Sequence, residues 1–283
     1  MSEQGGGRVA GEVLGVKRAG AHHVVTLVAP GVAERFRPGT LVSLALGGPM
    51  SDRAVGSVFP IHRARATGVH GGTVELVVTP DDGPSRWLVA APVGTRVDVL
   101  GPLGRPFALP KEPVTCVLVG EAASSAPLYS LAERLRERDC AVHLLLGAAD
   151  DAHLFGVLEA RRATRGLTVT TEDGSVGIAG SPVDVLPDLL GRTGAEVVYA
   201  AARVGTLHAV AGVAEQHGAW CQAMLSPQDV PMPCGTGLCL GCALPVVGED
   251  GLTHMVRACT EGPVVRGDRV RWADLGTVPE DAR

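Results

Sequence analysis

The sequence contains no run of lysine or arginine and no long apolar stretch. Its 25 basic and 30 acidic residues give a formal net charge of -5. A nucleic-acid-binding surface needs clustered positive charge to neutralise phosphates, so nucleic acid is not an expected partner. Glycine, proline or a charged residue interrupts every apolar run before the roughly 20 residues that a membrane helix requires. Residues 1–7 lack the basic and apolar stretches of a secretory signal, so we expect a cytoplasmic protein that does not enter a membrane.

Charged side chains are also scarce, at 19% of the 283 residues, whereas apolar side chains make up 46%. This composition is typical of a globular protein, and the length suits two domains and an appendage. The seven cysteines are an odd number for a framework of disulfide bonds. In a reducing cytosol they are expected to be free thiols or metal ligands, and their spacing distinguishes these roles.

Short β-branched segments separated by turn residues fill the first part of the chain. Turns are expected at Pro38-Gly39 and at Gly71-Gly72, where the residue types favour a bend. The five predicted strands cover residues 24–28, 41–46, 58–63, 73–79 and 96–100. This pattern predicts a small antiparallel β-barrel over residues 1–108.

From residue 114 onward, predicted strands alternate with predicted helices. Residues 114–119 form a nearly continuous apolar run, which is typical of a strand buried on both faces of a parallel sheet. Further strands are predicted at 142–146, 167–171, 197–200 and 219–223. Helices are predicted between them at 126–138, 152–161, 183–190 and 206–217. This alternation predicts a doubly wound α/β domain with a parallel sheet over residues 109–225.

A cysteine- and glycine-rich module is predicted over residues 226–283, with short strands at 243–247 and 253–257. Its first three cysteines follow the spacing C-x4-C-x2-C, and a fourth comes after sixteen further residues. Plant-type [2Fe–2S] centres use this spacing, because one loop must wrap the cluster. Glycines between the cysteines leave room for the backbone to approach the inorganic sulfides. The predicted cluster ligands are Cys234, Cys239, Cys242 and Cys259.

Structural zinc is the alternative partner of these four cysteines. Such sites usually pair two short Cys-x-x-Cys motifs, whereas only Cys239 and Cys242 form such a pair here. The other three cysteines, Cys116, Cys140 and Cys221, fall in or beside predicted strands and helices, where buried thiols behave as small apolar side chains. The spacing therefore favours iron–sulfur binding over zinc.

Motifs along nearly the whole chain resemble those of a known family. They lie at residues 38–39, 59–62, 99–104, 126–128, 173–175 and 259–263, together with the cysteine loop. In these motifs the chain resembles the iron–sulfur, flavin-binding electron-transfer subunit of dihydroorotate dehydrogenase, a branch of the ferredoxin-reductase superfamily. The resemblance implies a component of an oxidoreductase of pyrimidine biosynthesis rather than a self-sufficient enzyme.

The resemblance also implies a role for each part of the chain. The barrel would hold FAD, the doubly wound domain would receive NADH, and the third module would hold the cluster. Electrons would pass from NADH through FAD and the cluster to the FMN of a separate dihydroorotate-dehydrogenase-like catalytic subunit. A flavin suits this order because it accepts a hydride and releases single electrons. The implied FAD contacts are Phe59, Pro60, Ile61, His62, Val78, Thr79, Gly83 and Ser85, and the implied NADH contacts are Gly120, Ser124 and Pro127.

Four nucleotide-binding motifs of this family are altered in the sequence. The flavin motif Arg-x-Phe/Tyr-Ser is replaced by Ser-Val-Phe-Pro at 57–60, and Gly-x-Gly-Thr is replaced by Asp-Gly-Pro-Ser at 82–85. The turn Gly-Gly-Gly-x-Gly becomes Gly-Glu-Ala-Ala-Ser at 120–124, and the loop Cys-Gly-Pro becomes Ala-Ala-Arg at 201–203. Because the lost residues contact phosphates or the nicotinamide, these changes predict altered use of both nucleotides.

Two other interpretations remain. A noncatalytic iron–sulfur relay or scaffold subunit would have lost FAD or NADH, and a flavin-free preparation would favour it. Arg53 and Arg63 are the candidates to replace the missing flavin arginine, although neither lies in register. A redox-sensing regulator is the third interpretation, and the lack of a DNA-reading helix or basic face speaks against it.

Overall fold

The computed structural model describes residues 7–47 and 56–282. Its first part is an antiparallel sheet of seven strands. They are β1 (Gly7–Ala19), β2 (His22–Val28), β3 (Leu41–Ala45), β4 (Ser57–Pro60), β5 (Arg63–Arg65), β6 (Thr73–Val78) and β7 (Arg96–Leu103). Helix α1 (Val32–Arg35) follows β2, and helix α2 (Gly83–Ala90) follows β6. The strand order in this sheet is β4-β3-β7-β1-β2-β6-β5.

Strand β1 is the longest strand of this sheet, and it is missing from the predicted set. It pairs with both β2 and β7. A Cβ atom built on Gly11 would lie 2.7 Å from a methyl group of Val99, so the strand needs glycine there. The close packing of β1 on β7 thus removes the apolar alternation by which a strand is recognised in a sequence.

The predicted strand at 58–63 divides into β4 and β5, which lie at opposite edges of the sheet. Only Ile61 and His62 separate them. The backbone N–H of Ile61 donates to the carbonyl of Thr40 at 3.1 Å, and that of His62 donates to the carbonyl of Glu75 at 2.8 Å. The sheet must therefore curl until its two edges meet, which is the expected barrel-like form. Within the described residues, no strand pairing joins β4 directly to β5.

The second sheet is parallel apart from its last strand. Its strands are β8 (Thr115–Glu121), β9 (Ala141–Ala148), β10 (Gly166–Thr171), β11 (Ile178–Ala179), β12 (Val197–Ala201), β13 (Trp220–Met224) and β16 (Val264–Arg266). Its helices are α3 (Pro127–Arg136), α4 (Val157–Ala163), α5 (Pro182–Thr193) and α6 (Val204–Gln216). The order β11-β10-β9-β8-β12-β13-β16 reverses direction between β8 and β12. This is the predicted doubly wound arrangement, in which ligands usually bind where the strand order reverses.

The helix predicted at 152–161 is wrong over its first half. A 3-10 turn (Asp151–His153) comes first, because the carboxylate of Asp150 accepts a hydrogen bond from the backbone N–H of His153 at 3.0 Å. Gly156 then adopts a left-handed conformation, with φ of 67°, and separates this turn from α4. The other predicted helices and strands of this sheet are found within a few residues of their expected bounds.

The cysteine-rich segment is tied to both sheets. Its hairpin consists of β14 (Ala243–Val247) and β15 (Thr253–Arg257), as predicted. Strand β16 then joins the parallel sheet antiparallel to β13. The backbone N–H of Arg105 donates to the carbonyl of Gly262, and that of Leu225 donates to the carbonyl of Pro263 at 3.0 Å. Across the described part of the chain, no helix is long and apolar enough to cross a bilayer.

Candidate cluster and nucleotide sites

The loop that carries the first three cysteines has an irregular backbone held close to the barrel. Gly235 has φ of 69°, and a Cβ atom there would lie 3.0 Å from Val58 and 3.1 Å from Leu103. Gly237 has φ of 80°, and its Cβ atom would lie 3.2 Å from Thr260. Both positions therefore need glycine, for the conformation and for the space.

The four predicted ligands come together as two pairs of thiols. The Sγ atoms of Cys242 and Cys259 lie 3.3 Å apart, and both residues are buried. Cys239 is exposed and Cys234 is partly covered, and the two lie close enough for Cys239 to influence the pKa of Cys234. The loop therefore offers one pair at the surface and one pair in the interior.

Backbone amides favour the charged form of the surface pair. Thr236 N–H donates to the sulfur of Cys234, and Gly241 N–H donates to the sulfur of Cys239, each at 3.4 Å. Burial raises the pKa of Cys234, but hydrogen bonds from Thr236 and Cys239 outweigh it and lower that pKa to about 6. Burial and the neighbouring Cys242 raise the pKa of Cys259 to about 12. Cys234 is thus prepared for metal binding, whereas Cys259 needs a nearby cation to lose its proton.

Two separate pairs of thiols suit a cluster that contains two irons. A single metal ion would need all four sulfurs around one point. No group of three or more His, Cys, Asp or Glu side chains in residues 7–47 and 56–282 is arranged to hold a metal ion. The sulfurs therefore lie as two pairs and do not form a finished cage. The donor set itself, four thiols with amides aimed at two of them, fits an iron–sulfur cluster.

The predicted FAD contacts separate into two groups. Pro60, Thr79 and Ser85 line a cleft of about 260 Å³ between the two sheets. The other predicted contacts do not line it. Phe59, Ile61 and Val78 are buried in the barrel core, Gly83 starts helix α2, and the buried His62 shares a hydrogen bond of 2.7 Å with the carbonyl of Ala126. Of the eight predicted FAD contacts, three therefore face this cleft.

Helix α2 begins where the family motif would hold a diphosphate. The side chain of Asp82 already occupies that position. The carboxylate of Asp82 caps the helix and accepts a hydrogen bond from Ser85 N–H at 2.7 Å. Pro84 supplies no N–H group at all. The start of α2 consequently does not fit a diphosphate, although the cleft beside it remains open.

Neither candidate arginine is placed to compensate for this loss. Arg63 forms ion pairs with Glu133 and, at 2.8 Å, with Glu159, so its charge is already balanced away from the cleft. Arg53 lies outside the described residues. A diphosphate in this cleft would need other donors than the family's arginine.

The cleft also contains residues that the sequence patterns did not indicate. They come from β2, from the loop after β6, and from the end of β13 and the segment that follows it. They include His22, Asp81, Met224, Gln228 and Asp229. Burial and the charge of Glu121 raise the pKa of Asp229. The segment after β13 carries no recognisable motif, and only its place at the carboxyl end of a parallel strand indicated a binding role.

The turn after β8 keeps conformations that favour glycine, although most of the glycines of the family motif are replaced. Ala122 adopts φ of 43°, in the left-handed region that favours glycine. Gly120 has no room for a side chain, because a Cβ atom there would lie 2.5 Å from Ser125. Ser124 and Pro127 line the cleft, whereas Gly120 does not.

Glu121, the last residue of β8, is buried and hydrogen-bonded to the start of α6. Its carboxylate accepts hydrogen bonds from Arg203 N–H at 3.0 Å and from the Thr206 hydroxyl at 2.8 Å. The hydrogen bond and charge of Glu121 raise the pKa of the Arg203 guanidinium, which also pairs with Glu172 at 2.9 Å. The two motifs expected to contact the nicotinamide dinucleotide are thus joined to each other.

Known proteins resemble the chain both in the cysteine segment and overall. A model of the iron-sulfur cluster binding domain of dihydroorotate dehydrogenase B matches residues 231–271. The chain is 35% identical over 188 residues to the probable dihydroorotate dehydrogenase B (NAD(+)), electron transfer subunit, of Methanopyrus kandleri, covering 66% of this chain and 67% of that one. It is 32% identical over 194 residues to the dihydroorotate dehydrogenase B (NAD(+)), electron transfer subunit, of Shouchella clausii, covering 68% of this chain and 71% of that one.

Solved structures confirm the ferredoxin-reductase-like fold. The structure of an NADH-dependent reduced ferredoxin-NADP oxidoreductase, described for flavin-based electron bifurcation, matches with a TM-score of 0.79 and 26% identity, covering 95% of this chain and 92% of that one. A ferredoxin NADP+ reductase from Neisseria gonorrhoeae matches with a TM-score of 0.61 and 13% identity, covering 75% of this chain and 92% of that one, and shows the fold alone. The cluster-domain match falls on the segment with the four paired cysteines, and the matched relatives share one description. The chain therefore belongs to the family of dihydroorotate dehydrogenase B electron transfer subunits.

Proposed function

We propose that this chain passes electrons through FAD and a [2Fe–2S] cluster to a dihydroorotate-dehydrogenase-like catalytic subunit that contains FMN. The observation that carries the proposal is the gathering of Cys234, Cys239, Cys242 and Cys259 as two pairs in the segment that matches the family's cluster domain. Support for FAD comes from family membership and from the open cleft between the two sheets. The proposed domains are residues 1–108, 109–225 and 226–283, and the proposed location is the cytoplasm, with pyrimidine biosynthesis as the pathway.

The residues of the cluster loop would hold and tune the cluster. When bound, a flavin converts paired electrons into single ones and a [2Fe–2S] cluster carries them one at a time. The amides of Thr236 and Gly241 donate to cysteine sulfurs and stabilise negative charge there, which favours the reduced state. The buried positions of Cys242 and Cys259 keep water from one side of the site.

The catalytic subunit would dock on the apolar surface beside Cys239. Leu238 and Leu240 flank this exposed cysteine and are themselves 86% and 63% exposed. Exposed leucines next to a redox site are typical of a contact surface for a partner protein, because burying them favours association. Replacing both by serine should weaken capture of the catalytic subunit at least tenfold while leaving iron content unchanged. Equal capture would exclude this surface.

The proposal is tested by an anaerobic ultraviolet–visible spectrum with iron, acid-labile sulfide and released flavin assayed together. Two irons, two sulfides and one FAD per chain are expected. Zinc in place of iron would overturn the electron-transfer function. A cluster without flavin would contradict the FAD part of the proposal and leave an iron–sulfur relay.

A further inference from the structure

At the carboxyl ends of β8 and β12, residues of the chain itself bond across the crevice, beside the open cleft that Ser124 and Pro127 line. In a doubly wound sheet this crevice, where the strand order reverses, is the position at which a dinucleotide enters. Here the last residue of β8, Glu121, reaches across to Arg203 and Thr206 at the start of α6. The contact lies between the two strands that define the crevice.

The carboxylate of Glu121 takes the donors that an anionic ligand would use. The N–H group of Arg203 and the hydroxyl of Thr206 each donate to one of its oxygens, at 3.0 Å and 2.8 Å. Amides at the start of a helix lack partners inside the helix and attract negative charge, so this position is suited to an anion. Glu121 is only 5% exposed, and it therefore occupies the position as a fixed part of the fold.

The backbone around Glu121 keeps two features that favour glycine. Ala122 keeps a left-handed conformation and Gly120 keeps a position without room for a side chain. Among the replaced residues of this turn, Glu121 is the one whose side chain bonds to the start of α6. An incoming dinucleotide would have to displace a bonded carboxylate, or place its own charge beside it.

We infer that Glu121 is a built-in substitute for the bound dinucleotide, and that this chain does not accept NADH or NADPH at this crevice. The inference rests on the proposed electron-transfer function and restricts it: the external electron donor or acceptor is not a nicotinamide dinucleotide held between β8 and β12. Glu121 is then the residue that determines this specificity.

The test measures NADH and NADPH binding by isothermal titration calorimetry to the full chain with its cofactors. The wild-type chain should show no binding below millimolar dissociation constants. Glu121→Gly, which restores the residue of the family motif, should bind at least tenfold more tightly. Glu172→Gln is the matched control, because it removes the outer partner of Arg203 and leaves the bonds of Glu121 in place; it should gain nothing.

Two results would overturn the inference. One is binding of NADH by the wild-type chain at micromolar concentration, and the other is a folded Glu121→Gly chain that binds no more tightly than wild type. Circular dichroism and melting temperature report folding, and if the glycine variant is unfolded, Glu121→Ala decides by the same criterion. Iron and sulfide content is assayed on every sample, so a loss of the cluster in all of them would count against the proposed function and not against the role of Glu121.

Discussion

The cysteine loop at 234–242 and the nucleotide region beside the cleft both present backbone N–H groups. The two regions differ in the acceptors to which these groups are bonded. In the cluster loop, Thr236 and Gly241 direct their amides at cysteine sulfurs that a metal centre would use. In the nucleotide region, the amides of Ser85 and Arg203 are already bonded to the carboxylates of Asp82 and Glu121. The comparison indicates that a fold can keep the shape of a site while its own side chains take the donors that a ligand needs.

The largest expected effect is the loss of the cluster on removal of an inner thiol. Cys259→Ser should lower iron from two atoms per chain to nearly none, because the buried Cys242 then has no thiolate beside it. Iron and sulfide assays with electron paramagnetic resonance of the reduced protein measure this. Cys140→Ala is the control, since Cys140 is buried away from the loop in the parallel-sheet region, and it should keep full iron. Full iron in Cys259→Ser would remove Cys259 from the ligand set.

A glycine in the cluster loop gives the next effect. Gly235→Ala should lower the free energy of unfolding by about 3 kcal/mol, since a methyl group meets Val58 and Leu103 in a left-handed conformation. Gly251→Ala shares the positive φ, with nothing within 4 Å of the added carbon, and should cost only about 1 kcal/mol. Urea unfolding of both variants separates the clash from the conformational cost. Equal losses would mean that the loop is not packed tightly against the barrel.

Removing the carboxylate that caps α2 should act in opposite directions on stability and on flavin affinity. Asp82→Ala loses an N-cap and should lower the free energy of unfolding by about 1 kcal/mol. It also frees Ser85 N–H, so FAD should bind about tenfold more tightly, as one hydrogen bond to a charged group is worth about 1.5 kcal/mol. Fluorescence titration of the apoflavin protein measures this affinity. Asp184→Ala, which removes a capping carboxylate from α5 away from the cleft, should cost a similar amount of stability and leave FAD affinity unchanged; an unchanged FAD affinity in Asp82→Ala would show that the diphosphate lies elsewhere.

How much could be predicted from the sequence differs between these regions for physical reasons. The strands of the parallel sheet were predictable because burial on both faces leaves a continuous apolar run, as in β8. Strand β1 was not, since its tight packing requires Gly11 and removes the alternation. The cysteine spacing predicted the cluster loop because the ligands lie close together in sequence.

The FAD contacts were harder to predict, because family position does not tell which side chains face the cleft. Ile61 and Val78 belong to the barrel core, whereas Gln228 and Asp229 enter the cleft from a segment without a motif. The start of α2 did carry a local signal, since aspartate followed by glycine and proline is typical of a capped helix start. The bond between Glu121 and Arg203 joins residues far apart in sequence, and only the three-dimensional structure reveals it.

The smallest expected effect concerns the joint between the two walls of the cleft, where His62 of the barrel meets α3. Burial lowers the pKa of His62 to about 4, against about 6.5 for an unfolded histidine. Between these values the unfolded chain binds a proton that the folded chain does not, so the free energy of unfolding falls as pH decreases. From pH 7 to pH 5.5 the loss from this one group is about 1 kcal/mol.

Urea unfolding at the two pH values, for wild type, His62→Gln and the exposed-site control His70→Gln, tests this contribution. His62→Gln should lose about 1 kcal/mol less than wild type over the interval, whereas His70→Gln should follow wild type. Glu159 lies 3.8 Å from His62 Nε2 and pairs with Arg63, whose positive charge also lowers the pKa of the histidine. If all three chains lose the same amount, protonation at this joint does not control the stability of the cleft, and the two walls are held by the apolar contacts of His62 with Tyr129 and Phe155.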